Sequence, residues 1–298
     1  MTTTTADGLR RPGGSRRIGT RVKLAAQRFA ANPMAVCGLA LVVFEVGLAL
    51  FAPVLPLPSP DDIDTLAMLA GPSGAHWLGT DDLGRDTLSR LLWGARVSLA
   101  SSTCSVALAL LVGVPLGLLS GYLGGMFDEV VMRILDSVMA LPPLVLALTI
   151  AAVLGPGIVN GTLAIAIVAV PTFTRLIRGQ VLSIKHDDYV AAARSIGATR
   201  RAIIFRHVLP NAINPVIVQA ALGVGFAIIT ESSLSFIGLG AQPPTPSWGS
   251  MVQVGFQYLE LAPLLALAPA AAIFVAVLGF NLLGEGLRDL LDPNARLR

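Results

Sequence analysis

The chain has 298 residues, of which 54% are hydrophobic and only 13% charged, and its mean hydropathy is +0.74. A soluble domain carries about a quarter charged residues, so this chain has too little polar surface to face water on all sides, and the bilayer is its natural solvent. The net charge is only +3; Cys37 and Cys104 sit in apolar runs and His76, His186 and His207 lie far apart, which argues against a disulfide framework, redox chemistry and a metal-ligand cluster.

In chain order, residues 1–19 read as a disordered, basic cytoplasmic tail, with a Thr run and Pro12-Gly13-Gly14. Residues 20–31 place Val22, Leu24, Ala25 and Phe29 among Arg21, Lys23 and Arg28, which predicts a helix lying on the membrane surface. Six apolar segments follow, each near the roughly 20 residues that span the hydrocarbon. They are Met34–Leu55, Val97–Gly121, Val130–Leu154, Ile158–Ile177, Asn214–Phe236 and Ala262–Gly284. The first is too long in its apolar core, and too poor in cleavage-site character, for a signal peptide.

Basic residues favour the cytoplasmic side. The N-terminal tail is basic, and the stretch between segments four and five carries Arg178, Lys185, Arg194, Arg200, Arg201 and Arg206. Between segments one and two, Asp61, Asp62, Asp64, Asp81, Asp82 and Asp86 outnumber Arg85, Arg90 and Arg96. Both termini are therefore expected inside, with 56–96 and 238–261 outside. Pro115, Pro142-Pro143, Pro171 and Pro269 fall within the spans and predict irregular helices. Gly113, Gly117 and Gly121 form one stripe along which a second helix can approach closely.

The loop His186–Asn211 is the most informative stretch. Asp187 is the expected N-cap, with Asp188 complementing the helix dipole. Tyr189–Ile196, including Val190, is then helical, Gly197 breaks it, and Thr199 caps a second helix expected to end at Pro210. Ala191, Ala192 and Ala193 make the first helix slim, a shape that fits a partner's groove. Upstream, Thr80 or Asp81 is expected to cap a helix with Leu88, Leu91, Leu92 and Ala95 on one face, feeding into segment two. Ionisable residues within spans are costly. Asp136 follows Arg133 by three residues, which predicts a local ion pair. Glu45 is expected to face a partner subunit. Glu231, with Ser232 and Ser235, is the candidate for lining a translocation path.

These stretches resemble a known family. Ala191-Ala192-Ala193-Arg194-Ser195-Ile196-Gly197, followed by Ile204 and Val208-Leu209-Pro210, is similar to the "EAA" loop of type I ABC importer permeases, with Ala191 where the motif has glutamate. His76 to Asp86 with the LSRLLWGARVSL that follows, Gly124 to Glu129 with MRILDSVMALP, and Glu231 to Gly240 with Pro243-Pro244 and Ser247-Trp248-Gly249 resemble the second ("C") permease of dipeptide, oligopeptide and nickel importers. The resemblance runs from about Thr20 to Pro293. It implies an all-α membrane protein of six spanning helices with a cytoplasmic coupling loop formed by Asp187, Asp188, Tyr189, Val190, Ala191, Ala192, Ala193, Arg194, Gly197, Ala198, Thr199 and Pro210. It divides the chain into 32–95, the first span with an external segment, 96–288, the permease core, and 289–298, a cytoplasmic tail. The implied partners are a homologous permease, two ATP-binding cassette ATPase subunits and an extracytoplasmic solute-binding protein, in a bacterial inner membrane; no cofactor, metal or nucleic acid is expected. The implied solutes are dipeptides, oligopeptides or small solutes such as nickel chelates.

Neither Lys23 nor Lys185 follows a glycine, so no P-loop is expected and ATP hydrolysis belongs to other subunits. There is no His-Glu-x-x-His and no Gly-x-Ser-x-Gly, which removes the motifs an intramembrane protease or hydrolase would need. A stand-alone secondary transporter, often marked by an internal repeat, is the alternative; no repeat is evident.

Overall fold

The computed structural model describes Gln27 and residues 29–291. The expectations for 1–19, for most of 20–31 and for the last seven residues of the tail therefore lie outside the described residues; residues 29–31 are helical. The described chain is helical apart from turns and one isolated antiparallel bridge between Thr80 and Asp86.

Helix α1 is Pro33–Phe51, extended by a 3-10 turn to Val54. Asn32 caps it, its Oδ1 accepting from the Met34 and Ala35 amides while Nδ2 donates to Asp289 at 2.8 Å. Helix α2, Thr87–Leu123, has 37 residues and is about 55 Å long at 1.5 Å per residue. It exceeds the hydrocarbon by about 25 Å, so the expected outer helix and the second span are one element. Its cap is Asp86, which accepts from the Ser89 amide at 2.7 Å; this corrects the expectation for Thr80 and Asp81. Those two residues organise the preceding loop instead: the Thr80 hydroxyl accepts from the Ala70 amide and Asp81 accepts from the Leu83 and Arg85 amides.

The third expected span, Val130–Leu154, is not one helix. It divides into α3, Gly125–Met139, and α4, Pro143–Leu154, bent by 90°. Two successive prolines remove backbone donors and push Leu141 out of helical conformation. Helix α4, with 12 residues, is about 18 Å long and too short to span alone.

Helix α5 is Ile158–Ile184, α6 is Asp188–Ser195, and α8 is Asn214–Phe236. Between the last two, α7 runs from Arg200–Ile203 through a π-helical turn, Ile204–Val208, to Leu209–Ala212. The helix was expected to stop at Pro210; it continues because Pro210 falls in the first turn after the π segment, where its missing donor is not needed. Helices α9, Trp248–Gln257, and α10, Leu264–Leu291, complete the chain, so the expected tail from 289 begins inside α10. The helices remain continuous through Pro115, Pro171 and Pro269.

Among the described residues, five helices are long and apolar enough to cross a membrane, and the α3–α4 pair makes a sixth if it counts as one broken span. Their outer faces are apolar: Phe44 is 61% exposed, Leu111 72% and Phe274 66%. The core is sealed by the glycine stripe of α2 against α5. A Cβ at Gly113 would lie 3.0 Å from the Phe173 Cβ and one at Gly121 2.9 Å from the Val181 Cβ, so only glycine permits this approach. Helix α1 packs on α10, and Glu45, 6% exposed, turns into this chain's own interior. That corrects the expectation that Glu45 faces a partner: a carboxylate on the inward face of α1 has no route to another subunit.

Candidate functional site: a projecting helix at one end of the bundle

The bundle has two chemically distinct ends. At one, α2 and α5 finish and α6 and α7 project. Helix α6 buries Val190 and Ala193, three residues apart on one face. Ala191, Ala192, Arg194 and Ser195 are exposed, Tyr189 is 41% exposed, and Ile196 stands out at 86%. Asp187 holds the N-cap position but its side chain makes no capping hydrogen bond; Asp188 supplies the acidic charge in the first turn that the dipole favours.

The helix ends in a Schellman arrangement. The Ala198 amide donates to the Ala193 carbonyl at 3.1 Å and the Gly197 amide to the Arg194 carbonyl at 3.0 Å. Gly197 has φ +83 with open space around it, so glycine is required by backbone conformation and not by crowding. Thr199 caps α7 through the Ala202 amide, as expected. Asn211 bonds the Tyr189 hydroxyl at 3.2 Å and the His207 carbonyl at 2.7 Å, lacing α6 to α7. Burial and the nearby Asp187 carboxylate hold the Tyr189 phenol above its ordinary pKa.

Beside this hairpin the ends of the spanning helices are tied to one another by charge. Arg178 of α5 grips Asp128 of α3 with two bonds of 2.5 Å, Ser120 of α2 bonds the same carboxylate, and Lys185 donates to the Gly121 carbonyl at 2.9 Å. Sequence reading missed this cluster; the signal available was only that Asp128 and Arg178 border spans.

Asp136 pairs with Arg175 of α5 and not with Arg133 as expected. The break at 140–142 turns α3 away from the line of α4, and Asp136 meets the neighbouring helix.

Glu231, Ser232 and Ser235 are buried inside the subunit at 3%, 8% and 1% exposure. Ser235 Oγ donates to Glu231 Oε1 at 2.7 Å and accepts from the Ala241 amide. Gly249 of α9 lies directly against Ser232 and Ser235.

At the opposite end, Asp81, Arg85 and Arg90 form a buried clasp. Arg85 Nε lies 2.7 Å and Arg90 Nε 3.4 Å from Asp81 Oδ2, and Arg90 donates to the Pro60 carbonyl at 2.8 Å.

Comparison with known proteins fits a bundle of this kind. Residues 113–297 match the binding-protein-dependent transport system inner membrane component family, and residues 20–72 match the N-terminal TM domain of oligopeptide transport permease C. The chain belongs to this transport family as the permease subunit of an ABC importer. It is 44% identical over 265 residues to the dipeptide transport system permease protein DppC of Alkalihalophilus pseudofirmus, covering 89% of this chain and 87% of that one. It is 44% identical over 271 residues to the glutathione transport system permease protein GsiD of Pectobacterium atrosepticum, covering 91% and 90%. The probable D,D-dipeptide transport system permease protein DdpC of Escherichia coli K12 is 45% identical over 264 residues, covering 89% of each. An inward-facing MetNI methionine ABC transporter chain shares the fold at TM-score 0.56 and 20% identity, over 68% of this chain and 97% of that one. The stand-alone carrier reading is thereby set aside.

Proposed function

We propose that this subunit forms, with a homologous permease, the path by which dipeptides, oligopeptides or a chemically similar small solute enter the cell. Two ATPase subunits on the inner side drive it and a solute-binding protein delivers the solute on the outer side. The relatives named for dipeptide and glutathione transport support the solute class. The basic residues Lys185, Arg194, Arg200, Arg201 and Arg206 cluster around α6, which favours that end, and with it both termini, on the cytoplasmic side. ATP hydrolysis is assigned to the separate subunits.

The observation that carries the reading is α6 itself. A slim helix anchored by two buried residues presents an exposed face and an apolar tip, Ile196, at the basic end of a membrane bundle. Such a helix fits a groove on a partner protein. Residues Asp187 to Thr199 form the docking element, and the Asp128–Arg178 and Lys185–Gly121 ties pass its movement to α2, α3 and α5. Nucleotide drives the change by binding the two conformations with different affinity. Glu231, Ser232 and Ser235, candidates for the path, would line it only when α8 and α9 separate.

The test is Ala192→Trp on the exposed face of α6. ATPase subunits are expected to cease co-purifying with the permease pair while the permeases stay assembled. Unchanged co-purification and unchanged uptake would overturn the docking assignment.

A further inference from the structure

Helices α2, α4, α5 and α8 enclose a cavity of about 300 Å³ that includes Pro143, Thr172, Gln219 and Thr230 in its lining. Its remaining wall is largely apolar, with Val106, Phe173 and Phe226. Thr172 is exposed and Gln219 half-buried. Arg175 lies three residues beyond Thr172, on an adjoining turn of α5. Its partner Asp136 sits on α3, a few residues before the Pro142–Pro143 break that brings Pro143 into the cavity wall. The side chains of this ion pair are 42% and 58% exposed.

Position in the bilayer gives these facts their meaning. Arg175 is about 25 Å along α5 from Ile158, inside a hydrocarbon layer of about 30 Å. Gln219 is about 7.5 Å inside the start of α8. An amide, a hydroxyl and an open ion pair at this depth are costly against lipid and belong where water or another polar surface reaches them. Elsewhere the outer faces present residues such as Phe44, Leu111 and Phe274. The face around Thr172, Gln219 and the Arg175–Asp136 pair is polar by comparison.

We propose that this face is the wall of the translocation path, with Gln219 and Thr172 offering hydrogen bonds to the solute and the Arg175–Asp136 pair at its rim. The inference rests on the permease reading above and deepens it. The wall carries one positive and one negative group side by side and otherwise neutral donors and acceptors. That chemistry suits a solute of no net charge bearing both a carboxylate and an ammonium group, such as a short zwitterionic peptide. An exposed pair gains little from its own contact, so exchange of each partner for a solute terminus is nearly even. Glu231, buried and bonded to Ser235, lies outside the lining of this cavity.

The test uses the assembled transporter in membrane vesicles, in a Cys37→Ala, Cys104→Ala background, because both native cysteines are exposed. Thr172→Cys and Gln219→Cys are treated with MTSET, a cationic thiol reagent excluded from lipid, with Leu111→Cys as the lipid-facing control. Labelling at 172 and 219 is expected to be at least about tenfold faster than at 111, because only water carries the reagent, and to slow when excess zwitterionic dialanine is present. Rates at 172 and 219 no faster than at 111, with and without trapped nucleotide, would overturn the proposal. Asp136→Asn combined with Arg175→Gln provides the second measurement. Uptake of dialanine is expected to fall about tenfold, a change of about 1.4 kcal/mol in a barrier, while ATP hydrolysis persists; undiminished uptake would also overturn it. Loss of ATPase association would count instead against the docking assignment for α6.

Discussion

The two ends of the bundle hold their polar residues in opposite ways. At the α6 end the ties are partly exposed: the side chains of Arg178 and Asp128 are 28% and 15% accessible, and α6 rests on only Val190 and Ala193. At the other end Asp81, Arg85 and Arg90 are each under 9% exposed and bind the 58–86 segment to α2. Buried charges in a closed network are over-determined, because any displacement leaves one of them unpaired. A helix open on most of its surface has no such constraint. One end is built as a frame and the other as a part that can be pushed.

Breaking the frame should have the largest effect. Asp81→Ala leaves Arg85 and Arg90 buried beside no carboxylate of equal reach, and removing one partner of a buried pair costs about 3–5 kcal/mol. The thermal midpoint of the purified complex should fall sharply, while ATPase subunits still co-purify with whatever remains folded. A midpoint unchanged within error would show that the clasp is decoration and the contrast between the ends is false.

Gly197 sharpens the comparison from the movable side. Nothing lies within 4 Å of a Cβ built there, but φ is +83, so Gly197→Ala pays only the left-handed backbone cost, about 1–2 kcal/mol. That strain falls on the turn joining α6 to α7. Uptake per ATP hydrolysed should drop, with a loss of stability no larger than that strain, and Gly197→Asn should be milder, since Asn visits this region more readily. Equal coupling in all three proteins would mean that the turn transmits nothing.

Most of the fold was legible because the bilayer imposes a simple length rule on apolar segments. A helix, Asn214–Phe236, lies where hydropathy puts an apolar segment of about those bounds, and the stripe at Gly113, Gly117 and Gly121 announced a close helix contact that α5 fills. The misses share a cause. Asp86 is the α2 cap, not Thr80 or Asp81, because the earlier pair is drawn into bonds with the 67–70 turn and Arg85. Asp136 prefers Arg175, 39 residues away, to Arg133 on its own helix. Each depends on which helices meet, which composition and spacing within one segment do not encode. The turn from α6 to α7 was readable because its capping and turn signals are local: Thr199 and Gly197 act within a few residues of themselves. The cavity lined by Thr172 and Gln219 was not, because those residues come from separate helices, α5 and α8, that only the tertiary packing brings together.

The smallest expected change isolates the surface of α6 from its packing. Ala191 is exposed and sits at the end of the helix's first turn, where a carboxylate meets the positive end of the helix dipole. Ala191→Glu should therefore move the stability of the complex by no more than about 0.5 kcal/mol, the range of surface substitutions that disturb no packing or cap. Its effect on docking has no such bound, because the same carboxylate would enter a partner's groove and find, or fail to find, a positive group there. Tighter association with the ATPase would mean that the groove still holds a cation suited to the glutamate of the resembled motif. Weaker association would mean that the groove has been shaped around a methyl group. A change in stability larger than about 1 kcal/mol with association unaltered would contradict the free face assigned to α6, because only a packed position responds in that way.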